Sequence, residues 1–179
     1  MNLEELFSYR RSTRMYEKQQ ITEEQLQQIL EAAQNAPLAV GNRPKARLTV
    51  VQNMEILNEI RECCKTESRR NPGVIRDSLY GAPTLILVSE SSLSEDRIEL
   101  CDAACIIENM MLEATNLGLG CCYIWGCLSK LRANSELLRK LDLEKEQVIL
   151  SGFICGTPVK PLYAKKREAI TINRIPQFP

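Results

Sequence analysis

The residues best suited to chemistry are Arg10, Arg11, Ser12, Thr13 and Arg14. Three guanidiniums and two hydroxyls fall within five positions. A guanidinium is planar, permanently charged and presents a fork of donors that matches a phosphate. Hydroxyls add neutral donors at short reach. The cluster is a candidate anion site, and its plain alternative is a solvated basic turn. A second basic group, Lys165, Lys166 and Arg167, lies near the other end of the chain. There is no histidine, which removes the usual general base, the usual proton shuttle and the commonest metal ligand. A Ser-His-Asp or Cys-His hydrolase cannot be assembled. No catalytic side chain stands out, so the chemistry is expected to come from a bound cofactor.

The eight cysteines are Cys63, Cys64, Cys101, Cys105, Cys121, Cys122, Cys127 and Cys155. None forms a C-x-x-C, so zinc-ribbon and thioredoxin spacings are absent and no metal site is expected. The adjacent pairs Cys63–Cys64 and Cys121–Cys122 read as core thiols, because neighbouring cysteines rarely close a disulfide without backbone strain. The N-terminus does not read as a signal peptide, and no apolar run approaches membrane-spanning length. The expected setting is cytoplasmic, with reduced thiols and no membrane partner.

Twenty-three basic and 23 acidic residues cancel to zero formal charge, which argues against a nucleic-acid partner. Local charge on a balanced chain suits a small anionic ligand better than a polyanion. With 179 residues, 44% apolar and 26% charged, the chain is expected to form one domain over residues 1–179.

The elements that must position these groups follow from spacing. Asn2 with Glu5 and Thr22 with Gln25 are capping boxes. The first opens a short helix ending near Tyr9. The second opens a helix carrying Leu26, Ile29, Leu30 and Ala33, stopped by Pro37. Strands are predicted over Leu48–Val51, Thr84–Val88, Cys121–Trp125 and Val148–Cys155. Helices are predicted over Glu55–Lys65 and Ser135–Leu141, with a loop or short helical piece over 66–80. Ile98–Leu117 reads as a helix apolar nearly all round, buried either inside a monomer or against a second copy. Ile170-Thr171-Ile172 alternates as an exposed edge strand does.

Taken in order, these motifs resemble the FMN-dependent nitroreductase family. Arg10-Arg11-Ser12-Thr13-Arg14 is similar to the family's Arg-Arg-Ser-x-Arg segment after the first helix. Ala36 to Pro44 occupies the place of its loop after the second helix, with Leu38 where Ser is usual. Gly81-Ala82-Pro83, Gly118-Leu119-Gly120, Gly156-Thr157-Pro158 and the Lys165/Arg167 pair complete the series.

The resemblance implies an α+β fold, with a central mostly antiparallel sheet flanked by helices, in an intertwined homodimer. The tail, about 168–179, would then pack on the partner subunit, with Ile170 to Ile172 joining its sheet. FMN is the implied cofactor. Arg10, Arg11, Ser12, Arg14, Lys165 and Arg167 would hold its phosphate and ribityl end. Leu38, Gly41, Asn42 and Arg43 would cover it from the other subunit. A backbone N–H of Trp125 or Gly126 would donate to flavin N5, with the indole either narrowing the pocket or filling the core. The implied activity passes electrons from NAD(P)H through the flavin to a small organic acceptor such as a nitroaromatic or quinone. Arg43 and Lys45 make the pocket more cationic than usual, which suits an anionic acceptor. Alternatives are a flavin-binding storage or sensor protein with little turnover, or a dehalogenase-like or flavin-modifying relative.

Overall fold

The structure is a computed structural model that describes residues 1–41, 45–68, 71–143 and 147–175. Helix α1 (Leu3–Tyr9) and helix α2 (Glu23–Gln34) both begin at the expected capping boxes, with Asn2 and Thr22 as caps. Strand β1 (Ala46–Val51) leads into helix α3 (Met54–Cys63), and two short strands follow, β2 (Thr66–Glu67) and β3 (Ile75–Arg76). Then come β4 (Thr84–Glu90), the long helix α4 (Glu99–Asn116) and β5 (Gly120–Ile124). Two short helices, α5 (Leu128–Arg132) and α6 (Ser135–Lys140), precede β6 (Val148–Gly156).

The main sheet has the order β1-β4-β6-β5, antiparallel at every pairing, with helices on both faces. Strand alternation divides its side chains between two cores. Leu85 and Leu87 face α3, α5 and α6, with Leu57, Ile60 and Leu128. Ile86 and Val88 face α2 and α4, with Ile29, Ile107 and Met110. This is why β4 is buried on both faces and reads as an unbroken apolar run.

Strand β6 changes phase. Ile154 and Ile149 lie in the first core, while Phe153, Cys155 and Leu150 lie in the second. Odd and even positions swap because the register slips opposite Val88 and Ser89, leaving Leu150 as an extra residue. Arg132 serves this bulge. Its Nε donates to the Ile149 carbonyl at 2.6 Å and its Nη2 to the Leu150 carbonyl at 2.8 Å.

The structure corrects the sequence reading in two places. Residues 66–80 contain a small antiparallel pair, Thr66 opposite Arg76 and Glu67 opposite Ile75. Two residues per strand are too few to show alternation. Helix α5 shows no separate signal for the same reason. Ile170-Thr171-Ile172 is not a strand within the chain, and Ile170 and Ile172 are 87% and 77% exposed. Helix α4 is buried along Ala103, Ile106, Ile107, Met110 and Met111, but Leu100, Cys101 and Ala104 face outward. Its all-round apolar character is therefore not satisfied inside one chain.

Candidate functional site

The basic cluster begins where α1 ends. Arg10 follows the last helical residue, and its N–H donates to Leu6 at 2.9 Å. The chain then extends along β5. Ser12 bridges Cys121 in parallel, and Thr13 donates its N–H to the Cys121 carbonyl at 2.7 Å. Gly120 permits this approach, since a Cβ there would stand 2.7 Å from Thr13 Cγ2. Tyr16 is buried and anchors the segment, its hydroxyl donating to the Thr13 carbonyl at 2.7 Å. Gly156 makes room there, because a Cβ would fall 2.6 Å from Pro83 Cδ and 3.3 Å from Tyr16 Cδ1.

The C-terminal segment returns antiparallel beside it. Glu17 donates to Thr157 at 2.9 Å, Tyr16 bridges Pro158, and Val159 donates to Met15 at 3.2 Å. Farther along, Lys165 donates its backbone N–H to Ser8 at 2.9 Å. The Arg167 guanidinium donates to the Arg10 carbonyl. Residues 157–167 thus run back along 8–17, and the two basic groups meet.

Within this cluster Arg11 stacks on the Tyr163 ring, 3.9 Å from its centroid. Arg14 lies 5.5 Å from the centroid of Tyr80. Arg10 Nε is 3.5 Å from Glu108 on α4. A cavity of about 290 Å³ opens among Arg11, Ser12, Arg14, Lys160, Leu162 and Tyr163. Its donor set is guanidiniums, an ammonium and hydroxyls, the chemistry a phosphate monoester requires. Tyr163 is a member that sequence reasoning missed. The signal was the spacing Tyr163, Lys165, Arg167, which puts alternate residues of an extended chain on one side.

The remaining predicted residues lie elsewhere. Leu38 is half-buried between α2 and α4 and lines a separate cavity of about 210 Å³ with Ala33, Ala46, Leu48 and Ile106. Its loop is fixed by the Ala39 N–H, which donates to Asp102 Oδ1 at 2.9 Å, and turns through Val40 and Gly41 at positive φ. Asn42 and Arg43 lie outside the described residues. Trp125 and Gly126 follow the last residue of β5, four or more residues from the Ser12–Cys121 bridge. At ~3.3 Å per strand residue that is roughly 13 Å, a separation that suits an elongated ligand. Trp125 is 58% exposed, so the indole does not fill the core of the chain.

The cysteines behave mostly as apolar side chains. Cys64, Cys121, Cys122, Cys127 and Cys155 are buried, Cys63 and Cys105 are half-buried and Cys101 is exposed. Burial pushes the Cys121 thiol up to about 12 and Cys155 well above its ordinary value. Among the described residues no group of His, Cys, Asp or Glu could hold a metal ion, and no helix is long and apolar enough to cross a membrane.

An antiparallel sheet flanked by helices, with Arg167 of the tail bonded to Arg10 near the head of the chain, is the architecture of a class of oxidoreductase. A profile of the Nitroreductase family matches residues 7–157, and the chain belongs to that family. It is 32% identical over 151 residues to a Methanothermobacter thermautotrophicus protein that bears the provisional name NADH dehydrogenase/NAD(P)H nitroreductase. That match covers 83% of this chain and 73% of the relative. Among solved structures it is similar to a Bacteroides fragilis nitroreductase crystallised with bound FMN. The TM-score is 0.80 at 28% identity, covering 98% of this chain and all of that one. A Desulfitobacterium hafniense nitroreductase, at 22% identity and a TM-score of 0.77, shares the fold over 97% of this chain.

Proposed function

We propose that the chain binds FMN between its two basic segments and passes electrons from NAD(P)H to a small organic acceptor. The observation that carries this reading is the return of the tail along the first basic segment: the Arg167 guanidinium bonds the Arg10 carbonyl and the Lys165 N–H bonds the Ser8 carbonyl, while Arg11, Ser12 and Arg14 line one cavity. Such a set fits a doubly charged phosphate, and charge-assisted bonds are about twice as strong as neutral ones. The Bacteroides fragilis relative holds FMN, which supports the same cofactor here. When bound, FMN would supply the redox chemistry between NAD(P)H and the acceptor.

The chain's own residues bind and orient. Arg10, Arg11, Arg14, Lys165 and Arg167 hold the phosphate and ribityl end, and Ser12 adds a hydroxyl donor. The Trp125 or Gly126 N–H, just past the end of β5, would donate toward the ring. Leu38 and Gly41 cannot act in the same way within one chain, because Leu38 lines the separate cavity beside α4. As the family resemblance implies, they would cover a flavin from the second subunit of a homodimer. The outward apolar face of α4 and the exposed Ile170, Ile172 and Ile175 give that dimer its surface. No histidine is needed, since the flavin holds the electrons and solvent supplies protons.

The test is the visible spectrum of the purified protein during anaerobic titration with NADH and NADPH. Flavin absorbance that bleaches on titration, and returns with a nitroaromatic or quinone, is the expected result. Protein that stays colourless and ignores added FMN would falsify the reading. Tight FMN binding without bleaching would instead identify a storage or sensor protein.

A further inference from the structure

We infer that Tyr80 is a positioning residue for the anion site: the turn over residues 77–82 holds its ring against Arg14 and so fixes where the Arg14 guanidinium points. The inference deepens the flavin reading and rests on it.

The turn is built around a strained backbone. Tyr80 has a φ of 54° and Gly81 a φ of 73°, so two consecutive residues adopt the left-handed region. Glycine enters that region freely, whereas a residue with a Cβ is sterically disfavoured there. Asp77 offsets the strain. Its Oδ1 accepts from the Leu79 N–H at 2.8 Å, and its Oδ2 accepts from the Gly81 N–H at 2.7 Å. The Leu79 carbonyl accepts from the Ala82 N–H at 3.0 Å. Arg61 on α3 closes the other side. Its Nε lies 3.8 Å from Asp77 Oδ2, and its Nη2 donates to the Ala82 carbonyl at 2.8 Å. Leu79 and Ala82 are buried and anchor the turn in the first core.

None of these bonds uses the Tyr80 side chain, which is half-buried. A glycine at position 80 would suit the same turn with less strain. What tyrosine adds is a ring, whose centroid lies 5.5 Å from Arg14 Cζ, within cation–π range. Backbone strain that a surrounding network holds in place is concentrated where a side chain must be presented. Arg14 has little else to fix it. Its Nη1 donates to the Ser12 carbonyl at 3.4 Å, a long bond. Among the described residues it forms no ion pair. The ring therefore directs the guanidinium toward the cavity that Arg14 lines and leaves its charge uncompensated for an anion.

The test titrates FMN into apoprotein of the full chain, with flavin fluorescence as the readout and a urea denaturation curve for each variant. Tyr80→Leu keeps apolar bulk and loses the ring, and should weaken FMN binding about three- to tenfold. Tyr80→Phe keeps the ring and should recover most of that loss. In an Arg14→Met background, Tyr80→Leu should change affinity less than about twofold, because the group it acts through is gone. A merely structural role would lower affinity equally in both backgrounds. That result, or Tyr80→Phe binding as weakly as Tyr80→Leu, overturns the inference. Should Tyr80→Leu fail to fold, Tyr80→Gly suits the left-handed turn and removes the same ring. A wild-type chain that binds no FMN refutes the flavin reading and takes this inference with it. Tight wild-type binding that Tyr80→Leu leaves unchanged refutes this inference alone.

Discussion

Arg167 donates from its guanidinium to the main-chain carbonyl of Arg10, across 157 positions of sequence. The contact joins a residue just past α1 to the tail that follows β6. It brings the two basic segments of a chain with no net charge beside each other. Each basic segment alone is an ordinary solvated turn, and the return of the tail makes them one surface.

Arg167→Ala removes both that tie and one cation. We expect FMN affinity to fall about tenfold or more, the size of a lost charge-assisted bond of about 1.5–3 kcal/mol. Lys166→Ala, beside it in sequence, should change affinity less than threefold. Fluorescence titration of apoprotein with FMN checks both, and equal losses would leave Arg167 with no special role.

Gly120→Ala tests the close approach of the basic segment to β5. The added methyl would meet Thr13 at 2.7 Å, and relieving such a clash costs about 1–3 kcal/mol. Thr13 must retreat, which moves Ser12 and Arg14 with it. Lower urea stability together with weaker FMN binding is expected. Gly126→Ala, whose Cβ meets nothing within 4 Å, should leave stability unchanged.

Arg132→Met keeps the stem and deletes the two bonds to the bulge carbonyls. Leaving the carbonyls of two buried residues without a charged donor should cost about 2–4 kcal/mol. Chemical denaturation reads this directly, and a loss below about 0.5 kcal/mol would show that water replaces the guanidinium.

Glu90 carries a pH prediction. Burial, then the Asp102 and Glu99 carboxylates, push its pKa above the usual carboxylate range. The folded chain thus binds this proton more tightly than the unfolded chain. Stability contributed here is present at low pH and falls as pH rises through the usual value to the raised one. Glu90→Gln should therefore raise Tm at neutral pH, with the gain vanishing below about pH 4, near an unperturbed carboxylate. A gain independent of pH would point to packing instead.

The tail tests assembly. Truncation after Arg167 removes Ile170, Ile172 and Ile175, all exposed in the single chain. Light scattering should then report a shift from dimer toward monomer, with loss of bound flavin. A mass that stays dimeric would assign the interface to α4, and a mass that is monomeric before and after would overturn the dimer.

The sequence by itself determined what depends on neighbours a few residues away. The capping boxes at Asn2 and Thr22, the buried strand from Thr84 and the long helix after Ile98 were all legible, because caps and periodicity are local. So were the two basic groups and the absence of histidine. Tertiary structure alone decided that the basic groups meet, that Tyr163 sits under Arg11, and that Leu38 lies apart from both. A chain's composition and spacing do not encode such partners directly, because long-range contacts are selected by the packing of the whole sheet against its helices.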